Sequence, residues 1–321
     1  MKKFLRVLLI LLVLLSGTLL ALTNPALFPS GKGVIVAADK QRLQDAVKFL
    51  CSTHTFRNNE NTSSLDTAAA YIGRQLRAAG YEPEEEKFTA GGREYKNIIC
   101  SYGPGDAERL IVGAHYDVCG AQAGADDNAS GVAGLLELAR QLKKNSPQLD
   151  HRIDMVFYTL EEPPHFRTPT MGSAIHAKYL YDNNIKVKGM ICLEMIGYYS
   201  EEKGSQHYPL GLLKLFYPSR ANYIAVVGKM GQGRFLRKVK RKMISSCGIN
   251  VRSINAPTFV PGIDFSDHLN YWHYGYDAVM ITDTSFYRND NYHQPGDIPS
   301  TLDYDKMAEV VKGVYNAIVG L

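Results

Sequence analysis

The fold is decided by the stretch Arg109-Leu-Ile-Val-Gly-Ala-His115-Tyr-Asp117, in which an apolar run leads directly into a histidine and an aspartate. A continuous apolar run is typical of a strand that is covered on both faces of a sheet. Similar runs at residues 153–160 and 189–194 are followed by, or end in, glutamate. Because these strands alternate with helical segments, the sequence predicts an α/β fold, with three α/β/α layers around a central mixed, mostly parallel sheet.

Periodicity and end signals place the other elements. Helices are predicted at residues 39–51, 65–79, 132–143, 234–247 and 302–318, and further strands at 96–102 and 278–282. Gly80 is expected to end the second of these helices. Residues 198–220 show no clear period, and we expect a long loop there, close to the functional site.

Composition excludes several classes of protein. The chain has 321 residues, of which 45% are hydrophobic and 21% are charged, so it is neither disordered nor a disulfide scaffold. The net charge of +4 includes Lys2, Lys3 and Arg6, and the rest of the chain is close to neutral. Nothing in this charge balance calls for a nucleic-acid partner.

The N-terminus has the pattern of an export segment. Its basic residues precede an apolar run that extends from residue 7 to about residue 22. We therefore divide the chain into a signal peptide or membrane anchor at 1–22, a linker at 23–37 and one large domain at 38–321. Cleavage and anchoring both remain open, and an anchor would associate the protein with a membrane. Either form places the domain outside the cytoplasm, as a periplasmic, secreted or membrane-anchored protein.

The five cysteines do not form a disulfide framework, because their number is odd and their spacing shows no pairs. Cys100 and Cys192 lie in apolar strand-like runs, which predicts buried thiols. One disulfide bridge stays open in an oxidising compartment.

Polar residues with metal-binding chemistry follow the predicted strands. They are His115, Asp117, Asp126, Asp127, Glu161, Glu162, Glu194 and, in a late loop, His293. Ligands of open α/β sheets bind beyond the carboxyl ends of the strands, so these side chains stand where a site is expected. Imidazole nitrogen and carboxylate oxygen are zinc ligands, and a bridging carboxylate can join two zinc ions that share one activated water. A further acid is then needed to move the proton of that water.

These motifs resemble those of the M28 family of zinc peptidases. The matching segments, in the order of the family, are Gly113-Ala-His115-Tyr-Asp117, Gly124-Ala-Asp-Asp127-Asn-Ala-Ser-Gly131, Glu161-Glu162, Glu194 and Tyr292-His293-Gln-Pro. They extend over about residues 113–295. The resemblance implies the zinc exopeptidase fold, of the phosphorylase/hydrolase-like type, and a peptide substrate that is hydrolysed by a metal-bound hydroxide.

The resemblance also implies two zinc ions per chain. His115, Asp127 and Glu194 would hold one ion, and Asp127, Glu162 and His293 the other, with Asp127 as the bridge. Asp126 is interpreted as a neighbour that shapes the loop rather than as a ligand.

Three further roles follow from the same resemblance. Glu161 would be the general base and then the general acid. Asp117 would hydrogen-bond the far nitrogen of His115 and set its tautomer. Members of the family have a cis peptide bond after the bridging aspartate, which predicts one at residues 127–128.

The chain departs from the family at one ligand. Many characterised aminopeptidases of the family have aspartate where Glu194 stands, which leaves the metal geometry and the preferred end of the substrate open. The segment Ser266-Asp267-His268-Leu-Asn-Tyr271 resembles a family segment that lines the substrate pocket. Asp267 is interpreted as a substrate contact or a support of the site, and Tyr292 as a substrate contact.

The leading functional hypothesis is an aminopeptidase. A glutaminyl cyclase shares the fold and part of the ligand set, but cyclases hold a single zinc ion. A carboxypeptidase remains an alternative because related enzymes have glutamate at the position of Glu194. A binding ectodomain without activity is the alternative from another class, and it would be expected to have lost ligands that this chain retains.

Overall fold

The computed structural model describes residues 2–23, 28–31, 33–34 and 36–321, apart from the side chains of residues 19–23. Its helices are α1 (Lys2–Thr23), α2 (Lys40–Cys51), α3 (Thr62–Ala78), α4 (Gly131–Asn145), α5 (Gly172–Asp182), α6 (Gly233–Ile244), α7 (His268–His273) and α8 (Tyr304–Gly320). Its strands are β1 (Glu84–Ala90), β2 (Arg93–Tyr102), β3 (Arg109–His115), β4 (Arg152–Tyr158), β5 (Val187–Glu194), β6 (Tyr223–Lys229), β7 (Asn250–Ala256) and β8 (Ala278–Thr282).

The strands form one mixed sheet in the order β1-β2-β4-β3-β5-β8-β6-β7. The four central strands, β4, β3, β5 and β8, run parallel to one another. Antiparallel pairs join β2 to β4 on one side and β6 to β8 on the other. The predicted α/β fold with a mostly parallel sheet is therefore confirmed.

Alternate residues of the central strands enter two separate apolar cores. Leu110 and Val112 of β3 pack in the larger core with residues of α2, α3, α4, α6 and α8, whereas Ile111 packs in the smaller core with residues of α5 and α7. Each strand is thus buried on both faces, as its continuous apolar run predicted.

Helix α2 shows how closely local signals and structure agree. Asp39 caps it by accepting hydrogen bonds from the backbone N–H groups of Gln41 and Arg42. Its buried residues are Leu43, Ala46, Val47 and Leu50, which lie on one face of the helix. The predicted helix at 39–51 is confirmed, with residue 39 as its cap.

Five elements were not predicted, namely β1, β6, β7, α5 and the short helix α7. The sequence of β1 begins Glu84-Glu-Glu-Lys, and its charges suit an exposed edge of the sheet rather than a buried strand. The other edge strand, β7, is also rich in polar residues. Helix α5 follows the Pro- and Thr-rich stretch at 163–170, and this stretch does not indicate where a helix begins. The run at 223–229, which forms β6, is apolar and almost wholly buried.

The N-terminal segment predicted as a signal or anchor forms the helix α1. Among the described residues, no helix combines the length and the apolar character needed to cross a bilayer. Residues 24–27, 32 and 35 of the predicted linker lie outside the described residues.

Residues 198–220 contain a single short 3₁₀ turn, Gly211–Leu215, and otherwise form the expected long loop. The thiols of Cys100 and Cys192 are buried, as predicted. None of the five cysteines, all of which are described, takes part in a disulfide.

Lys240 is a buried cation on the inner face of α6. It is 1% exposed, and its Nζ donates a hydrogen bond to Ser253 Oγ at 3.1 Å. Burial, together with the charge of Arg252, lowers the pKa of Lys240 from 10.5 to about 7. The unfolded chain therefore binds this proton more tightly than the folded protein does.

We expect the substitution Lys240→Met to stabilise the protein at pH 6 and to lose this advantage by pH 9. Between about pH 7 and pH 10 the unfolded wild type binds the extra proton, so wild-type stability rises with pH in this window. Urea unfolding should show that the advantage of the variant falls by an amount on the order of 2 kcal/mol between the two pH values. Lys238→Met, at an exposed position of the same helix, is the control. An equal advantage at both pH values would contradict the low pKa of Lys240.

Candidate metal centre

The carboxyl ends of the central strands bring the predicted ligands together. β3 ends at His115 and β5 ends at Glu194. Glu161 and Glu162 follow the end of β4 by a few residues. Because these strands are parallel neighbours, their last residues lie together at the carboxyl-terminal ends of the central strands.

A first group of ligand atoms surrounds His115. Its Nε2 atom lies 3.2 Å from Glu194 Oε2 and 3.4 Å from Asp127 Oδ1. All three side chains are buried, and their ligand atoms lie within 4.8 Å of one another. One nitrogen and two carboxylate oxygens at this spacing can hold a divalent ion.

A second group surrounds His293. Its Nε2 atom lies 3.1 Å from Asp127 Oδ2 and 3.2 Å from Glu162 Oε2. The carboxylate of Asp127 therefore turns one oxygen to each histidine. Asp127 also precedes a cis peptide bond to Asn128, as predicted.

Glu161 lies between the two groups. Its Oε2 atom is 3.9 Å from His115 Nε2, and Glu161 and Glu162 form a further candidate ligand group with His115. Burial, together with the charges of Glu162 and Glu194, raises the pKa of Glu161, although His115 acts in the opposite direction.

The carboxylates at this edge repel one another. Burial and the charge of Asp127 raise the pKa of Glu162 to about 8. Burial would also raise the pKa of Asp127, but its contacts with His115 and His293 outweigh this effect and lower it. Bound cations would remove this repulsion.

Several buried atoms of the cluster have no hydrogen-bond partner among the described residues. They are His115 Nδ1, Asp127 Oδ2, Glu162 Oε1 and His293 Nε2. Buried polar atoms are normally satisfied, and an ion that these atoms would coordinate is a standard reason for exceptions. The residues therefore fit divalent metal ions.

Asp117 differs in part from its expected role. Its Oδ1 atom lies 3.5 Å from His115 Nδ1, which is a long contact and not a hydrogen bond. Instead, its carboxylate accepts hydrogen bonds from the backbone N–H groups of Glu161 and Glu162, at 3.2 and 3.1 Å. Asp117 thus positions the two glutamates as well as facing the histidine.

The segment at 266–271 contacts one of the predicted ligands, Glu194. Ser266 Oγ donates a hydrogen bond to Glu194 Oε2 at 2.6 Å. Asp267 is fully buried, and its carboxylate oxygens have no hydrogen-bond partner among the described residues. Burial raises the pKa of Asp267 to about 7. Both interpretations of Asp267, as a substrate contact and as a support of the site, stay predictions.

Asp126 shapes the turn rather than joining the ligand groups. Its carboxylate accepts hydrogen bonds from Gly197 N at 3.0 Å and Asn289 Nδ2 at 3.1 Å. The turn is held further by Asp297, whose two oxygens accept hydrogen bonds from the backbone N–H groups of Asp126 and Asp127, at 2.8 and 3.0 Å. Asp297 was not singled out from the sequence, although it stands four residues after His293.

Arg57 is the other support that the sequence did not reveal. It is 1% exposed, and its guanidinium donates hydrogen bonds to four backbone carbonyl groups, those of Leu50, Tyr116, Ala123 and Gly124. Three of these carbonyls belong to the loop at 116–124, which links β3 to the turn that carries Asp127. No local pattern marks Arg57, because its partners are distant in the chain.

An apolar cavity opens beside Glu194 and Tyr292. Its walls come largely from the long loop at 198–220, the strands β6 and β8 and the segment at 284–287. Gln206 fixes the loop, because its Nε2 atom donates hydrogen bonds to Thr284 Oγ1 at 2.9 Å and to Tyr287 O at 3.3 Å. The ring of Tyr292 stacks on that of His293, with centroids 3.8 Å apart, and so links the cavity to the ligand groups.

Comparison with known proteins gives consistent results. The model of peptidase family M28 matches residues 97–318. A protein of Escherichia coli (strain K12) described as uncharacterized protein YfbL is 46% identical over 285 residues, covering 86% of this chain and 87% of that protein. Leucine aminopeptidase 1 of Ajellomyces capsulatus (strain H88) is 26% identical over 298 residues, covering 88% of this chain and 71% of the relative.

A solved structure has the same fold. The glutaminyl cyclase from Fimbriiglobus ruber superposes with a TM-score of 0.66 at 18% identity, covering 90% of this chain and 97% of the cyclase. At this identity the likeness concerns the fold alone.

We expect Arg57→Leu to destabilise the protein by about 3 kcal/mol or more, because each hydrogen bond from a charged donor contributes about 1.5–3 kcal/mol. The variant should also retain less metal, since the loop at 116–124 loses its anchor. Urea unfolding and metal analysis by mass spectrometry measure the two effects. Arg42→Leu, at an exposed position on α2, is the control. A variant at position 57 as stable as this control would refute the anchoring role.

Proposed function

The chain belongs to peptidase family M28, and on that premise we propose that it is a zinc-dependent aminopeptidase that releases N-terminal residues from peptides. The proposal includes two zinc ions per chain, a metal-bound hydroxide as the nucleophile and Glu161 as the general base. It draws on the named relatives only for the class of reaction, since the leucine aminopeptidase is 26% identical.

One observation carries the proposal, namely the orientation of the Asp127 carboxylate. Its Oδ1 atom is 3.4 Å from His115 Nε2, and its Oδ2 atom is 3.1 Å from His293 Nε2. A carboxylate that faces two separate histidines with its two oxygens is suited to bridge two ions. A glutamate completes each group, Glu194 on one side and Glu162 on the other.

The roles of the residues follow from their positions. When bound, the two ions would activate a water molecule and polarise the peptide carbonyl. Glu161, buried beside both groups, would accept the proton of that water and deliver it to the leaving amine. Asp117 holds the backbone of Glu161 and Glu162 in place. Ser266 holds Glu194.

The donor set favours zinc. Imidazole nitrogens together with carboxylate oxygens, in groups of three, are the pattern of catalytic zinc sites, which keep one position open for water or substrate. The count of two ions rests on the bridging position of Asp127.

The cavity beside Glu194 supports a preference for apolar side chains. Its lining includes Tyr208, Leu213, Phe265, Met280 and Phe286. A substrate whose N-terminal residue is leucine or phenylalanine would bury its side chain against these groups, which stabilises the complex by about 25 cal/mol for each Å² of apolar surface removed from water.

We extend the proposal to the location of the protein. Lys2, Lys3 and Arg6 before the apolar run support export, with the domain outside the cytoplasm. Fractionation of cells that express the full chain measures this location.

The reaction class can be tested with the full chain, loaded with zinc, and matched peptides that begin with Leu, Phe, Gln or Asp. Each peptide is supplied with a free and with an acetylated N-terminus, and mass spectrometry follows both ends. We expect stepwise loss of N-terminal residues from the free peptides only, with Leu and Phe released faster than Asp. Loss of ammonia from the Gln peptides would establish a cyclase instead, and trimming of the C-terminus a carboxypeptidase. No change in any peptide would refute the enzymatic proposal.

The mechanism predicts that Glu161→Gln keeps both ions but loses activity by about 10²–10⁴-fold, the usual contribution of a general acid–base group. Glutamine has the shape of glutamate but cannot accept the proton. Metal content and kcat on a leucine peptide measure the two properties, and Glu202→Gln, at an exposed position, is the control. Near-full activity of the Glu161 variant would show that another group moves the proton.

A further inference from the structure

We propose that Cys119 supplies a thiolate ligand to the metal ion that Asp127, Glu162 and His293 would hold. This inference rests on the proposed function, because it assigns a further ligand to the same metal centre. The Sγ atom of Cys119 and one ligand atom each from Glu162 and His293 all lie within 4.8 Å of one another.

The loop that carries Cys119 is held on both sides of this residue. Before it, Val118 N donates a hydrogen bond to Arg57 O at 3.1 Å. After it, Gly120 O accepts a hydrogen bond from Asn58 Nδ2 at 2.7 Å. Two neighbouring residues of the loop between α2 and α3 therefore fix the backbone around Cys119. The thiol therefore lies beside Glu162 and His293 on a loop whose backbone is anchored.

A separate observation points to a ligand at this place. Glu162 is 4% exposed, and its Oε1 atom has no hydrogen-bond partner among the described residues. Asp127 is 2% exposed, and its Oδ2 atom, which faces His293, is in the same condition. A cation that such oxygens would coordinate is a standard reason for buried carboxylate atoms without a hydrogen-bond partner.

The chemistry of the thiol fits such an ion. Zinc binds thiolate at about 2.3 Å and nitrogen or oxygen at about 2.0–2.2 Å, so the ligand atoms of a tetrahedral site lie about 3–4 Å apart. The Cys119, Glu162 and His293 ligand atoms lie within 4.8 Å of one another, a limit somewhat wider than this, so binding would draw these side chains together. The proton of the thiol is released to solvent when the metal binds.

The two metal positions then differ in the number and type of their protein ligands. The group around His115 has three protein ligands, His115, Asp127 and Glu194, which leaves a place for water or substrate. The group around His293 gains a fourth protein ligand from Cys119, and zinc there would take the shared water as a fifth ligand. A soft sulfur ligand also favours zinc over manganese or magnesium at this position. The position near His115 is consequently the one that exchanges its metal more readily.

The test uses the full chain loaded with Co²⁺, whose absorption shows a thiolate-to-cobalt charge-transfer band in the near ultraviolet when sulfur is bound. The wild type and the control Cys247→Ser should both show the band, and Cys119→Ser should lack it while still binding cobalt. Zinc competition with a chelator should show affinity for one of the two ions weakened at least about tenfold in the Cys119 variant, since even outer-shell changes cost about 10–100-fold. Alkylation mapped by mass spectrometry should find Cys119 protected by zinc in the wild type.

The outcomes separate this inference from the function on which it rests. Two bound ions without a sulfur band in the wild type would overturn the role of Cys119 and leave the proposed function in place. A band that persists in Cys119→Ser would assign the sulfur to another cysteine and would also overturn it. Failure to bind any metal would overturn both proposals together.

Discussion

The parallel pairing of β3 with β4 and β5 is the constraint on which the rest of the site depends. In this register His115 lies opposite Tyr158, and Gly113 lies opposite Cys192. The period of a strand is two residues, so a slip of one position would turn His115 to the opposite face of the sheet and remove it from its carboxylate partners. The two apolar cores prevent this slip, because it would exchange the residues that each core contains.

Electrostatic repulsion among the buried carboxyl groups is the second constraint. Hydrogen bonds from backbone N–H groups help to accommodate these groups. Asp117 and Asp297 are buried acids that accept pairs of backbone N–H groups from segments that carry ligands. These hydrogen bonds offset part of the cost of burying the two polar groups. They also fix the neighbouring ligands by their main chain, which leaves the side chains of those ligands free to meet a cation. Arg57 complements them by binding carbonyl groups with a buried positive charge.

Much of this arrangement could be predicted from the sequence, because it depends on local patterns. Continuous apolar runs indicated the central strands, and the acidic or histidine residues after them indicated the site edge. The helix at 39–51 and the loop at 198–220 were also predicted. The edge strands β1 and β7 were not, since exposed edges need charge and so lose the apolar signal. Arg57 and Asp297 act mainly through partners far away in the chain, and a single sequence carries no record of such pairs.

The distance in sequence between Asp127 and Asp297 has a consequence for the synthesis of the protein. Asp297 meets the backbone of Asp126 and Asp127 across 171 and 170 residues. Chains grow at about 5–20 residues per second, so the ribosome needs on the order of ten to thirty seconds to add the missing part. Throughout this time the nascent chain contains the acidic ligands of the candidate site but not yet His293. The candidate metal centre is therefore completed late in synthesis, when His293 and Asp297 have been added to the chain.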